Sequence, residues 1–359
     1  MDRVRWGILG VGDVCEVKSG PGFYKAAHSE LRAVMRRHGD KAADFARRHG
    51  VPKWYDDADA LLADPEIDAV YVASPPSTHK ELVLTCAEAG KPVLCEKPMA
   101  LNVTEAREMI AACDAAGVPL WVAYYRRYLP RFRRILQFLS EGAIGIPRGV
   151  TVRLSHPTAH YGTGRKDADA EDGAPGEALQ WRVDPKVAGG GIFLDMGSHM
   201  MDFLNYAFGD AKLLGGAAAN QGGYYPAEDC VVASFSLPGT GVVARAGAPV
   251  DPDVAAAAGT GAPILGSGLW CFTTGETADE IAVYGSAGSI RFSCFDTTPV
   301  VLRRGDTVEE LTLDNPPHVH QPTIEACVAE LRGGPACEST GKTALAATEF
   351  MEGVLKVRV

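Results

Sequence analysis

The chain has 359 residues, 46% hydrophobic and 22% charged. This ordinary globular composition excludes global disorder and suggests about two domains at roughly 150 residues each. With 35 Lys and Arg against 45 Asp and Glu, the formal charge is −10. No basic stripe is longer than residues 131–134, so neither nucleic acid nor an anionic membrane is expected as the main partner.

No apolar stretch approaches about 18 residues, so no membrane span is expected. Met1 to Trp6 carries no signal-peptide core, which points to a soluble, cytoplasmic protein. The nine cysteines are odd in number, scattered, and never spaced C-x-x-C. They are expected as reduced, mostly buried thiols, with neither a disulfide scaffold nor a metal site.

The first third alternates short apolar runs with helical periods. Strands are predicted over residues 4–9, 31–35, 69–73, 92–95 and 119–123, and helices over 41–49, 58–62, 80–89 and 103–116. That alternation implies a doubly wound parallel sheet. Beyond residue 123 the rhythm changes, and the domains are drawn at 1–123 and 124–359. The second is predicted as an α/β domain with a large, mostly antiparallel open sheet. Helices are expected over 128–139, 322–331 and 343–356, with one long helix over 191–208. Strands are expected over 150–154, 229–236, 242–246, 269–273, 280–284, 289–292, 299–303 and 310–313. Residues 156–177 read as a polar loop. Residues 246–268, with seven Ala, five Gly and three Pro, read as a flexible loop.

Gly10-Val11-Gly12-Asp13-Val14-Cys15 follows the first strand and opens a helix. Glycines there allow a tight turn and close approach of a pyrophosphate to helix N–H groups. Gly10, Gly12, Asp13 and Val14 are therefore candidate cofactor residues, with Cys15 replacing the third glycine of G-x-G-x-x-G. The second predicted strand runs into Arg36-Arg37-His38, with no acid before Asp40. An acid there accepts from ribose hydroxyls, whereas arginine pairs with a 2′-phosphate. NADP is thus expected over NAD if Arg36 and Arg37 face the cofactor and are not merely solvated charges.

Four ordered motifs follow: Gly10-Val11-Gly12, then Ser74-Pro75-Pro76-Ser77-Thr78-His79, then Cys95-Glu96-Lys97-Pro98. The fourth is Trp181-Arg182 with Gly189-Gly190-Gly191 and Asp195-Met196-Gly197-Ser198-His199. Together they resemble the Gfo/Idh/MocA oxidoreductases over nearly the whole chain. The resemblance implies an N-terminal Rossmann domain and an α/β substrate domain, and assembly as a homodimer or homotetramer. It implies hydride transfer between nicotinamide and a sugar, polyol or related carbonyl, dihydrodiols included. It places Ser74, Pro75 and His79 near the cofactor's ribose and pyrophosphate, Trp181 and Arg182 towards the nicotinamide, and residues 124–127 along the substrate cleft. Tyr125 and Arg126 are the substrate candidates there.

The residues also make chemical sense alone. Glu96 and Lys97 follow a parallel strand, at the carboxyl edge where α/β ligands bind, and a lysine there can bond the reacting oxygen. Asp195 and His199, four apart, share one helical face, with Asp202 three further on. Histidine titrates near neutrality and suits proton exchange with an alcohol/ketone pair. Lys97, Asp195 and His199 are thus the candidate catalytic residues. The alternatives are a capping Asp195 with a packed His199, and a surface cation–π pair for Trp181 and Arg182. His318-x-His320 has metal-like spacing but reads better as a loop or substrate contact, and His156 and His160 lie in the polar loop. A dinucleotide-sensing regulator or a cofactor-assisted glycoside hydrolase of the same fold is the rival function.

Overall fold

The computed structural model describes residues 2–157, 180–241 and 250–359. Six strands form the first sheet: Val4–Leu9 (β1), Ser29–Met35 (β2), Lys53–Tyr55 (β3), Ala69–Val72 (β4), Val93–Cys95 (β5) and Leu120–Val122 (β6). They pair in parallel in the order β3-β2-β1-β4-β5-β6. All of β4, β5 and β6 is buried, as expected of strands covered on both faces. The predicted helices are present as Gly39–His49, Ala58–Leu62, His79–Glu88 and Val103–Ala116. Strand β3, only three residues long, has no counterpart in the predicted pattern.

Trp6, Phe23, Tyr71 and Trp121 centre the core of this unit. The Trp6 and Phe23 rings lie 5.1 Å apart, edge to face, and Phe23 and Tyr71 5.0 Å apart. Each such fully buried side chain contributes about 1.5–3 kcal/mol. Ile324, Cys327, Val328 and Cys337 belong to the same core.

The chain divides into two compact units, one holding residues up to Tyr128 with Asn315–Leu345, the other the described residues of 129–314 and 346–359. This differs from a single cut at residue 123, because 315–345 returns to the first unit. The return is fastened by polar groups as well as apolar ones. Trp121 Nε1 donates to Glu330 at 2.8 Å, and the same carboxylate accepts from the Cys337 amide at 2.7 Å. Arg127, fully buried, donates to the Glu338 carbonyl and to Thr343.

The second unit carries an eight-stranded sheet: Pro147–Pro157 (β7), Lys212–Ala219 (β8), Cys230–Leu237 (β9), Ile264–Cys271 (β10), Thr273–Gly285 (β11), Ser289–Phe292 (β12), Val300–Arg304 (β13) and Thr307–Leu311 (β14). The order is β14-β13-β12-β11-β7-β10-β9-β8. Only β7 and β10 pair in parallel; every other pairing is antiparallel. Phe132, Phe203 and Phe292 cluster on one side, with Phe132 and Phe203 at 4.8 Å. Val232, Leu265, Leu269 and Tyr284 remain exposed.

Three expectations are corrected here. Within 246–268, described from residue 250, lie a helix, Pro252–Gly259, and strand β10. Asp251 caps the helix by accepting from the amides of Asp253 and Val254, and Pro252 opens it. The glycines of β10 make room for rings: a Cβ on Gly266 would sit 2.2 Å from Phe235, and one on Gly268 2.2 Å from Trp270. Strand β8 was absent from the predicted pattern because its sequence, KLLGGAAA, lacks β-branched residues. The long helix over 191–208 is a π-helical turn, Phe193–Gly197, followed by the α-helix Ser198–Phe208. The predicted strand at 242–246, residues 158–177 of the polar loop and His160 lie outside the described residues. His156 falls within β7.

Candidate active site

In the first unit, the glycine loop is tied to the end of β2. The amides of Gly10 and Val11 both donate to the Met35 carbonyl, at 2.9 and 3.2 Å. Gly10 has φ +89°, and a Cβ there would also lie 3.0 Å from the Ser74 nitrogen, so both the turn and the neighbouring segment require glycine. The short helix Asp13–Val17 begins after Gly12, whose carbonyl accepts from the Cys15 amide at 2.9 Å. Cys15 is buried in the core, where desolvation pushes its thiol up to about 12.

Arg36 donates through Nη1 to the Val11 carbonyl at 3.2 Å, which sets its guanidinium on the glycine loop. Arg37 beside it is exposed. A turn that only glycine can make and a guanidinium on the loop together fit a phosphate-rich dinucleotide.

Ser74 accepts from Thr78 Oγ1 at 2.7 Å, with Pro75 next to it. His79 is wholly buried. Its Nε2 lies 2.7 Å from the Ser74 carbonyl, and its Nδ1 3.0 Å from that of Pro98 and 3.2 Å from that of Met99. Burial lowers its proton affinity, against the pull of those carbonyls. Expected beside the cofactor, His79 instead presents no nitrogen to a ligand and staples the Ser74 segment to the Pro98 segment.

Glu96 and Lys97 follow β5. The Glu96 carboxylate is buried and accepts from the Tyr71 hydroxyl and, at 3.0 Å, from the Lys97 amide. Burial raises its pKa despite Lys97 and Tyr71. Lys97 itself is half-buried, and the Lys97–Pro98 peptide is cis. Tyr125 packs against His320, ring centroids 4.4 Å apart, and the Arg126 guanidinium lies 4.9 Å from the Tyr125 ring. His318 turns away from His320, to the Val17 carbonyl and Lys25. Among the described residues no three His, Cys, Asp or Glu side chains form a metal cluster. None of the nine cysteines is in a disulfide, and eight of them are buried.

In the second unit, Asp195 sits on the π turn and faces Arg182, Nε to Oδ2 at 3.5 Å. Arg182 in turn lies over Trp181 at 4.4 Å, so these two residues do form the cation–π pair. The π turn alters the simple four-residue stacking of Asp195 over His199, because its bonds close at i+5. Gly197 permits the turn, since a Cβ there would be 2.9 Å from the Phe193 ring. His199 and Asp202 are buried, and His199 meets Phe295 edge-on at 6.0 Å. Glu228, which drew no attention in the sequence, accepts from the Gly191 amide at 2.7 Å and holds the glycine run before the turn.

Residues 4–124 match the family model described as an oxidoreductase family with an NAD-binding Rossmann fold, and residues 132–291 match the Gfo/Idh/MocA C-terminal domain. An oxidoreductase from Formosa agariphila is 36% identical over 328 residues, 91% of this chain and 90% of that protein. The chain belongs to the Gfo/Idh/MocA oxidoreductase family. A second family relative, 1,5-anhydro-D-fructose reductase from Ensifer adhaerens, is 32% identical over 206 residues, 57% of either protein. Among solved structures, a 3-ketoreductase from Actinomadura kijaniata in complex with NADP and TDP-benzene superposes with a TM-score of 0.77 at 20% identity, covering 99% of this chain and 98% of the other. That likeness shows that the two chains share a fold. Among the described residues no helix is long and apolar enough to cross a membrane.

Proposed function

We propose that this family member is an NADP(H)-preferring oxidoreductase of the alcohol/carbonyl type, acting on a sugar, polyol or dihydrodiol. The observation that carries the reading is Lys97, held by its own amide on the buried Glu96 carboxylate, in the unit that also holds the glycine loop. When bound, the nicotinamide dinucleotide supplies or takes up the hydride. Gly10, Gly12, Asp13, Val14, Ser74 and Pro75 bind the cofactor's phosphates and ribose. Trp181 and Arg182 belong towards its nicotinamide end, and Tyr125 and Arg126 to the substrate.

Lys97 brings a positive charge to the reacting oxygen and stabilises the negative charge that develops on it. His199 gives that oxygen its proton in reduction and removes it in oxidation. Asp195, paired with Arg182, orients the oxygen. The reductase activity of the Ensifer adhaerens relative and the NADP in the ketoreductase complex support this reading.

A panel of neutral sugars and polyols, followed by nicotinamide absorbance, tests it directly. Lys97→Met is expected to lower kcat at least 100-fold on any substrate found, the scale of general acid–base and charge stabilisation. Turnover equal to the parent's rejects the assignment. For the cofactor, Arg36→Ala with Arg37→Ala is expected to weaken NADPH binding about tenfold or more and leave NADH binding nearly unchanged. An unchanged preference between the two removes the NADP reading.

A further inference from the structure

Cys327 and Cys337 bring two sulfurs together in the core of the first unit, and the proposed reaction uses neither. Cys327 lies on the helix Gln321–Leu331, and Cys337 follows ten residues later in the chain. Their Sγ atoms are 3.9 Å apart, in a thiol–thiol hydrogen bond that Cys327 donates. A disulfide needs a separation of about 2.05 Å. Closing the bond therefore asks for a movement of about 2 Å, shared between two side chains.

The two sulfurs are not equivalent. The Tyr128 oxygen accepts from the Glu338 amide at 2.6 Å, which turns its hydroxyl proton to Cys337 Sγ at 3.2 Å. Hydrogen bonds from Cys327, Tyr128 and the Ser339 backbone lower the proton affinity of Cys337 against the opposing effect of burial. Cys327 is wholly buried, and burial pushes its thiol the other way. The thiolate is the reactive form of cysteine, and Cys337 reaches it more readily. Position adds to the difference. Residues 332–336 are exposed, and Cys337 is the first buried residue after them, whereas Cys327 sits within the helix. The amides of Gly333 and Gly334 hold that turn on the carbonyls of Glu330 and Ala329, at 2.9 and 2.8 Å.

We propose that Cys327, Cys337 and the Tyr128 hydroxyl form an oxidation site, at which a small peroxide oxidises Cys337 and Cys327 then closes a disulfide. With hydrogen peroxide, the Cys337 thiolate attacks one oxygen and the O–O bond breaks. The other oxygen leaves as water, taking up the proton that Cys337 gave up, and Cys337 becomes a sulfenic acid. Cys327 attacks that sulfur, its proton goes to the departing hydroxyl, and a second water leaves. Two thiols have lost two electrons and one peroxide has gained them. A small dithiol reverses the bond by exchange. Closure cross-links the returning segment beside β6, where the Val122 amide donates to the Ser339 carbonyl at 2.9 Å.

Cys230 and Cys271 supply the comparison. They face each other across β9 and β10, but burial, with Cys271 beside it, pushes the Cys230 thiol up to about 12. Cys230 is the more exposed of the two pairs' sulfurs, so exposure alone would favour it.

The test treats the reduced full chain with hydrogen peroxide, blocks the remaining thiols and maps tryptic peptides without reductant. Cleavage after Arg332 places Cys327 and Cys337 on separate peptides, so a linked pair identifies the disulfide. That link is expected to form before any change at Cys230, and dithiothreitol is expected to remove it. In Cys327→Ser, dimedone is expected to trap a sulfenic acid on Cys337. In Cys337→Ser, Cys327 is expected to remain a thiol. Should Cys327→Ser fail to fold, the apolar Cys327→Ala is read in the same way. Tyr128→Phe is expected to slow the link about threefold. An about tenfold loss of thiolate is partly offset there by the greater nucleophilicity of a more basic sulfur. Oxidation of Cys230 ahead of the link, a sulfenic acid on Cys327 in Cys337→Ser, or a parent rate in Tyr128→Phe overturns the proposal.

Discussion

Two glycine-rich regions of this chain look alike in composition and do opposite work. The loop at residues 10–12 uses glycine for a backbone shape: Gly10 has φ +89° and closes against Ser74. The stretch at residues 259–268 uses glycine for space, because Gly266 and Gly268 lie in an extended strand under the rings of Phe235 and Trp270. One region is a turn whose backbone shape needs glycine; the other is a strand whose missing side chains are filled from its neighbours. Composition cannot distinguish them, whereas substitution can.

The largest effect is expected at Gly266. Its Cβ would lie 2.2 Å from a Phe235 ring that is fully buried, so Gly266→Ala forces repacking and costs about 1–3 kcal/mol. Chemical denaturation measures that loss, and NADPH affinity should stay within twofold of the parent. Next comes Gly10→Ala, where an L side chain at positive φ costs about 1–2 kcal/mol. Here the same NADPH titration should show at least a tenfold loss, because the loop itself moves. Equal effects of the two substitutions on NADPH binding would erase the distinction between shape and space. The smallest effect is of opposite sign. Gly259 ends the helix Pro252–Gly259 with open space around its Cβ position, so Gly259→Ala should raise stability by about 0.5–1 kcal/mol. A destabilised Gly259→Ala would mean that this residue, too, is held for shape or space.

The same contrast explains what the sequence disclosed. The parallel sheet was legible because β1, β2, β4, β5 and β6 are apolar runs separated by amphipathic helices, a signal contained within each short window. The glycine loop, Arg36 and Glu96-Lys97 were legible for a related reason, since each sits just beyond such a strand. Strand β8 and residues 264–268 of β10 were hidden because KLLGGAAA and ILGSG carry no pattern of their own; what makes them strands is the register against β9. The helix Pro252–Gly259 could have been found from its Asp-Pro start and the alanines that follow. The π turn at Phe193–Gly197 could not, because it depends on Gly197 making way for Phe193 in three dimensions. His79 reads equally well as a ligand contact or a staple, and only the carbonyls on both sides of its ring decide. Trp121 and Glu330 are 209 positions apart, a pairing no local window contains.

The return of residues 315–345 to the first unit has a consequence for how the chain is made. Ile324, Cys327, Val328 and Cys337 complete the core around Trp6 and Trp121, yet they are translated after the whole of the second sheet. At roughly 5–20 residues per second, the six-stranded sheet waits on the order of ten seconds or more between the synthesis of β6 and the arrival of this cover. During that interval Trp121 lacks Glu330 and Arg127 lacks its carbonyl acceptors. The nascent first unit therefore leaves that apolar face uncovered for as long as the second unit takes to emerge.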